Sequence, residues 1–494
     1  MEQQAGNITP GLPQFDGRAV IAGVRQDAEG GATLPSISPA TGQVIAQVAQ
    51  SSAADVDRAV TGAAEAFSSG VWSNADATER KRVLLAIADG MEAEADSLAR
   101  MESFDMGKPL SQARAVDVDG AIATFRWYAE LVDKLHDEVP ATPAGSMALV
   151  ERVPLGVVGA IVPWNYPLEI AAWKLAPALA MGNSVVLKPA ELSSLTALRL
   201  GDIAAAAGLP AGVLHVIPGS GAVAGDALAR HLRVDALTFT GSTATAQKLM
   251  VAAGQSSLKR LALEAGGKSA NLVFADADDI VLAAQKAAFG AFYNQGEVCS
   301  ANSTILVEES ILDEFTAAFL EATKDYEPGD PFDVRSGNGA LVSSSHADSV
   351  LAAIAEGAAS GTILAGGMRQ TITGSDAYVS PTVIAGLDER HPIHRKEIFG
   401  PVVTITAFAS EDEAIRRANA TSYGLAASVW TGSLARAHRV SRKLIAGTVS
   451  VNTVDAIGLT TPFGGFKQSG FGRDLSVHAL DNYSGLKTTW FQHG

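Results

Sequence analysis

Cys299 is the only cysteine in a chain of 494 residues. A lone thiol makes neither an intramolecular disulfide nor a cysteine metal cluster, so it is a buried structural group or a nucleophile. It sits in F-Y-N-Q-G-E-V-C-S-A, residues 292–301, where Gly296 lets another backbone come close. Upstream, L-E-A-G-G-K-S-A carries Glu264, a carboxylate able to act as general base. Further back, P-W-N-Y-P carries Asn165, whose amide can donate to an oxyanion. A thiol, a carboxylate and a side-chain amide are the parts of covalent acyl chemistry.

Other chemistries find no support. The nine histidines show no H-E-x-x-H spacing, so no metal site is expected. G-G-K-S, residues 266–269, lacks the first P-loop glycine because Ala262 stands there. No G-x-S-x-G occurs, which removes a serine hydrolase. A net charge of -16 argues against a nucleic-acid partner. Hydrophobic content of 47% and charged content of 18% describe a globular protein with a large core. Met1–Gln4 show no basic start to a secretory leader. The apolar zone Leu155–Met181 is broken by Pro163, Asn165, Pro167, Glu169, Lys174 and Pro177, so no membrane span is expected. One cysteine fits a reducing cytoplasm.

The elements that must position these groups are legible as patterns. I-S-P-A-T-G-Q-V-I-A-Q-V predicts a hairpin through Ala40-Thr41-Gly42. Helical spacing covers Ser52–Ala93 and again Val116–Leu135. Met147–Gly156 alternates like a strand. The continuous apolar runs Val157–Val162, Asn183–Pro189, Val213–Gly219 and Ala236–Gly241 predict buried parallel strands separated by helices. The alternation restarts after Gly267 with N-L-V-F, a helix, S-T-I-L-V and a helix over 310–325. The fold class is therefore α/β with a doubly wound, Rossmann-like sheet and a second α/β unit.

The motifs W-N-Y-P-L, K-P-A-E, F-T-G-S-T, L-E-A-G-G-K-S, G-E-V-C, E-I-F-G-P and P-F-G-G-F-K-Q-S-G-F-G-R-D follow one another in that order. Together they resemble the aldehyde dehydrogenase superfamily, from about Ser36 to near the C-terminus. L-E-A-G-G-K-S-A-N-L-V-F-A-D and P-F-G-G-F-K-Q-S-G-F-G-R-D-L-S look like the bacterial group acting on gamma-glutamyl-gamma-aminobutyraldehyde and other omega-substituted aldehydes. The resemblance implies an NAD-binding domain over 1–136 and 155–266 and a catalytic domain over 267–468. It also implies a small β oligomerisation flap over 137–154 and 469–494, hence a homodimer or homotetramer.

By the same resemblance, Cys299, Glu264, Asn165 and Lys188 form the catalytic set. The Cys299 thiolate attacks an aldehyde, Asn165 and the Cys299 N–H hold the oxyanion, hydride passes to a nicotinamide, and Glu264 activates water on the thioester. NAD is expected against Ile161, Val162, Pro163 and Trp164, and at the helix opening G-S-T-A-T-A through Gly241, Ser242 and Thr245. Ala246 replaces the usual second glycine of that opening. Gly221, in G-S-G-A-V-A, is a secondary contact, and Glu397 and Phe399 meet the nicotinamide ribose and ring. Lys188 and Glu191 take the adenosine ribose hydroxyls; that carboxylate favours NAD, with NADP as the alternative.

Positions matching the substrate tunnel are Val116, Gly120, Tyr166, Glu169, Ile170, Trp173, Val298, Ile457 and Phe463. Glu169 stands where an apolar residue is usual, and a carboxylate beside Trp173 suits an ammonium or guanidinium group. As the third residue of a helix opened by Pro167, it equally suits a helix cap. Glu297 replaces the usual glutamine before the thiol, where a carboxylate either raises the thiol pKa or binds a cationic substrate. The alternatives are a broad-specificity aldehyde dehydrogenase, a coenzyme A-acylating enzyme, against which Glu264 counts, and a non-catalytic crystallin-like protein.

Overall fold

The apolar runs form the middle of one eight-stranded sheet. Its order is Val24–Gln26, Ala19–Ile21, Leu214–Val216, Ser184–Lys188, Val157–Ile161, Ala236–Thr240, Arg260–Glu264, Gly470–Phe471. The five central strands run parallel, and antiparallel pairs close both edges. Parallel strands need crossover helices, which cover both faces and demand apolar residues at every position. Every residue of Val157–Ile161, Ser184–Lys188 and Ala236–Thr240 is accordingly buried. The computed structural model describes residues 14–493. Met1–Gln4, the expected leaderless start, and the beginning of the first expected domain lie outside the described residues.

A second sheet has seven strands, in the order Thr362–Ala365, Thr382–Ala385, Val402–Phe408, Thr304–Glu308, Ala270–Val273, Ala426–Trp430, Thr448–Val451. Only its Thr362–Ala365 edge is antiparallel. A separate ribbon pairs Ser146–Pro154 with Ser484–Gln492 over nine residues each. Gly470–Phe471 belongs to the first sheet and not to this ribbon.

Two helical readings divide in the structure. Ser52–Ala93 is two helices, Ala53–Ser69 and Ala77–Ala93, because Gly70 adopts a left-handed φ of 78° and ends the first. Asp76 then caps the second through its side chain. The Val116 segment opens as a π-helical turn, Ala113–Val118, before the α-helix Asp119–Leu131. The expected hairpin forms between Thr33–Ser38 and Gln43–Ala49.

Residues 265–269 carry the chain from the end of Arg260–Glu264 in the first sheet into Ala270–Val273 in the second. The glycines of that link allow close approach. A Cβ on Gly267 would stand 2.2 Å from the Cys299 carbonyl oxygen, and one on Gly266 would stand 2.0 Å from Glu397 Oε2. The thiol loop and Glu397 thus press on the seam between the sheets.

Candidate active site

The thiol loop leaves helix Ile280–Phe292 through left-handed residues Asn294, Gln295 and Gly296, with φ of 49°, 58° and 69°. Asn294 sustains this because its buried side chain spans the loop, donating to the Asn165 and Glu297 carbonyls at 3.2 Å each. A Cβ on Gly296 would meet the Gly400 carbonyl oxygen at 2.4 Å. The Asn165 amide nitrogen donates one hydrogen to the Glu297 carbonyl at 2.8 Å. An amide nitrogen has two hydrogens, so one remains for an oxyanion.

Two cavities meet at this loop, and Cys299 and Thr240 line both. One, of about 220 Å³, is walled by Pro163, Trp164, Asn165, Gly241, Ser242, Gly266, His346, Glu397 and Phe399. The other, of about 360 Å³, contains Glu264 and eight of the nine tunnel positions: Val116, Tyr166, Glu169, Ile170, Trp173, Val298, Ile457 and Phe463. Gly120 lies beneath Glu169 instead of on the wall. A larger hollow of about 730 Å³, between helix Leu312–Thr323 and strand Val402–Phe408, holds no group of the thiol site.

Burial pushes the Cys299 thiol pKa up, and Asp455, Glu397 and Glu264 add to it, so the thiol rests protonated. Glu264 is buried, and both its oxygens lack partners among the described residues. Burial and Asp474 raise its pKa, opposed by Lys174 and Arg473. An unsatisfied buried carboxylate is costly, and such groups gather at functional sites.

At about 220 Å³ the first cavity suits one end of a dinucleotide. Ser242 caps helix Thr243–Gly254, accepting the Thr245 N–H at 3.3 Å, and the remaining N–H groups of that turn suit an anion. Ala246 is buried in the intact helix. Glu397 accepts the Gly267 N–H at 3.0 Å, and burial lifts its pKa to about 7. Trp164 and Phe399 meet edge-on, centroids 5.2 Å apart. Ile161 and Val162 are buried at the end of their strand. Lys188 lines neither cavity; its Nζ donates to the Pro189 carbonyl at 2.9 Å and to Glu191 at 3.3 Å. Glu191, Gly221 and Thr245 also lie off the thiol-bearing wall, and a Cβ on Gly225 would reach Lys188 Cδ at 3.9 Å.

The second cavity holds four carboxylates, Glu169, Glu264, Asp455 and Asp474, and no lysine, arginine or histidine. Asp474 pairs with buried Lys174, and Asp455 accepts the Ser300 hydroxyl at 2.6 Å. Glu169 has no hydrogen-bond or ion-pair partner among the described residues. It is the acid of the first turn of helix Pro167–Ala180, where it favours the dipole, but it makes no capping hydrogen bond; Glu102 accepts the Leu168 N–H at 3.0 Å. Burial raises the Glu169 pKa well above the usual range, helped by Asp117 and Asp455 and opposed by Lys108.

Both expected roles of Glu297 are corrected. Its side chain is fully buried, lines neither cavity and is not among the charges acting on the thiol. Its Oε1 accepts the Val342 N–H at 3.0 Å, because the loop turns the carboxylate away from Cys299. Asp455, Thr240, Tyr293 and His346 were missed. Thr240 and Tyr293 lie inside the quoted F-T-G-S-T and F-Y-N-Q-G-E-V-C-S-A stretches, Asp455 is an acid two residues before Ile457, and His346 lies in no motif.

The lone thiol thus stands where a cavity edged by a helix N-terminus meets an aromatic cavity holding several carboxylates, a layout that suits an oxidoreductase. Residues 26–489 match the model of the aldehyde dehydrogenase family, and the chain belongs to that family. It oxidises aldehydes with NAD or NADP. It is 47% identical to the NADP/NAD-dependent aldehyde dehydrogenase PuuC of Escherichia coli, over 96% of each chain. It is 45% identical to the aminoacetaldehyde dehydrogenase of Pseudomonas aeruginosa, over 99% of this chain and 98% of that one. The NAD+ complex of P. syringae AldA, an indole-3-acetaldehyde dehydrogenase, superposes with a TM-score of 0.96 at 49% identity, covering 97% of each. The gamma-glutamyl-gamma-aminobutyraldehyde dehydrogenase of Burkholderia cenocepacia gives 0.95 at 47%, again covering 97% of each.

Proposed function

We propose that the chain oxidises an aldehyde bearing an ammonium or guanidinium group at its far end, through covalent intermediates on Cys299. The observation that carries this is Glu169, a carboxylate with no partner among the described residues, beside Trp173 in a cavity that holds three further carboxylates and no basic side chain. A carboxylate left there alone is driven to its neutral form, and an incoming cation supplies the missing counter-charge. The aminoacetaldehyde dehydrogenase relative is named for an activity in keeping with this class.

The Cys299 thiol, protonated at rest, loses its proton to solvent through the cavities it lines, and the thiolate so formed adds to the carbonyl carbon. Asn165 Nδ2 and the Cys299 N–H stabilise the oxyanion, each donor contributing roughly 3 kcal/mol. NAD bound among Trp164, Gly241, Ser242, Glu397 and Phe399 supplies the hydride acceptor. Glu264 then takes a proton from the water that attacks the thioester, and Cys299 leaves as thiolate. Lys188 and Glu191 serve the far ribose. The presence of Glu264 supports hydrolysis over transfer to coenzyme A. A reducing cytoplasm suits the free thiol, and the ribbon suits a homodimer or homotetramer.

A second reading rests on the aromatic wall. Trp173 and Phe463 meet edge-on at 5.6 Å, and Tyr166, Phe289 and Tyr293 complete a surface that also suits a neutral ring. Glu169→Gln separates the two. The KM for an omega-aminoaldehyde should rise about tenfold, on the order of 1.4 kcal/mol, while a neutral aliphatic aldehyde is spared. Equal effects on both substrates would refute charge recognition.

A further inference from the structure

His346 belongs to none of the sequence motifs, yet its ring is part of the cofactor cavity wall. It sits in the first turn of helix Ser344–Ala358, where Ser343 Oγ accepts its backbone N–H at 3.1 Å. The ring meets Trp164 edge-on, with centroids 5.4 Å apart. Its Nε2 lies 2.7 Å from the Phe399 carbonyl oxygen. A carbonyl only accepts, so Nε2 must carry the hydrogen. Phe399 needs a restraint of this kind, because its φ is 57°, a left-handed backbone that a side chain disfavours.

Behind the imidazole stands Glu297, whose Oε1 is 3.7 Å from the same Nε2. The other oxygen, Oε2, is buried without a partner among the described residues. Burial pushes the Glu297 carboxyl pKa well above the usual carboxylate range, so it is the Phe399 carbonyl that fixes the hydrogen on Nε2. The backbone carbonyl of Glu297 meanwhile accepts the Asn165 amide. One residue therefore touches the cofactor wall through its side chain and the oxyanion donor through its backbone.

We infer that His346 is a positioning residue for the cofactor: its Nε2–H holds the Phe399 turn against Trp164. The inference rests on the reading of this cavity as the NAD seat.

The test compares His346→Gln with His346→Asn. A glutamine amide reaches the place of Nε2, whereas an asparagine amide stops one bond short. NAD affinity is read by calorimetry, alongside KM for NAD and for aldehyde, on variants whose melting midpoints match wild type. Asparagine should weaken NAD binding about tenfold with aldehyde KM within about twofold, and glutamine should recover most of the loss. Equal weakening by both variants, no weakening by asparagine, or an aldehyde KM that rises in step would overturn the inference. Phe399→Ala is the control. Unchanged NAD affinity in that variant would overturn the NAD seat itself, and the inference with it.

Discussion

A Cβ on Gly120 would stand 2.7 Å from Oε1 of Glu169. The glycine lies in helix Asp119–Leu131, where it costs roughly 0.5–1 kcal/mol relative to alanine, so its benefit lies in the room it leaves. The atom in the way is the far end of a flexible side chain. Gly120→Ala should therefore re-aim the carboxylate without unfolding the helix. Expected are an unchanged or slightly raised Tm, a several-fold higher KM for an aminoaldehyde, and an unchanged KM for a neutral one. In a Glu169→Ala background the effect of Gly120→Ala should vanish. An effect that persists there would mean position 120 acts on substrate directly.

Cys299 is the one group with a nucleophilic side chain on both cavities, apart from the hydroxyl of Thr240. Cys299→Ala should abolish aldehyde oxidation and leave NAD affinity within about twofold of wild type, a change of only a few tenths of a kcal/mol. Absorbance at 340 nm and calorimetry read the two quantities. Residual turnover above a trace would remove the nucleophile assignment.

Glu264 and Cys299 both have pKa values raised by burial, and the reactive form of each is the deprotonated one. As pH rises, both reactive forms grow, so kcat should climb from pH 7 toward 9. Glu264→Gln removes the base after hydride transfer. It should give a burst of NADH without steady turnover, and its slow step should lose most of the pH dependence. Burst and turnover lost together would place Glu264 earlier in the reaction.

The buried strands were legible because a parallel strand covered on both faces must be apolar at every position, as Val157–Ile161 is. The break at Gly70 was not, since apolar helical spacing continues on both sides of it and only the left-handed φ marks the end. Cys299, Glu264 and Asn165 were legible as motifs, with Gly296, Gly266 and the pair Pro163 and Pro167 a few residues away. The ambiguity at Glu169 was one of partners: whether its carboxylate capped the helix depended on Glu102, which approaches from 66 residues away in the chain. His346 enters from the first turn of helix Ser344–Ala358 and Asp455 from a distant loop, where no local periodicity points at a shared space. The direction of the Glu297 side chain depended on Val342 in the same way.

The ribbon of Ser146–Pro154 and Ser484–Gln492 pairs with no other strand of the chain among the described residues. Two strands alone are marginally stable in water, and on one outer edge Val150 exchanges backbone hydrogen bonds with Glu138. Leu486 and Trp490 are 67% and 63% exposed, on a strand where Phe491 and, across the ribbon, Met147 are also exposed. A single apolar residue on a surface is ordinary, but several on one unpartnered ribbon suit a second copy of the chain. Light scattering at micromolar concentration should give at least twice the 50.9 kDa chain mass. Leu486→Glu combined with Trp490→Glu should shift the assembly toward single chains without altering the thiol site, since neither residue lines either cavity. A monomer mass for the wild-type protein would refute the assembly, and an unchanged mass for the double variant would place the interface elsewhere.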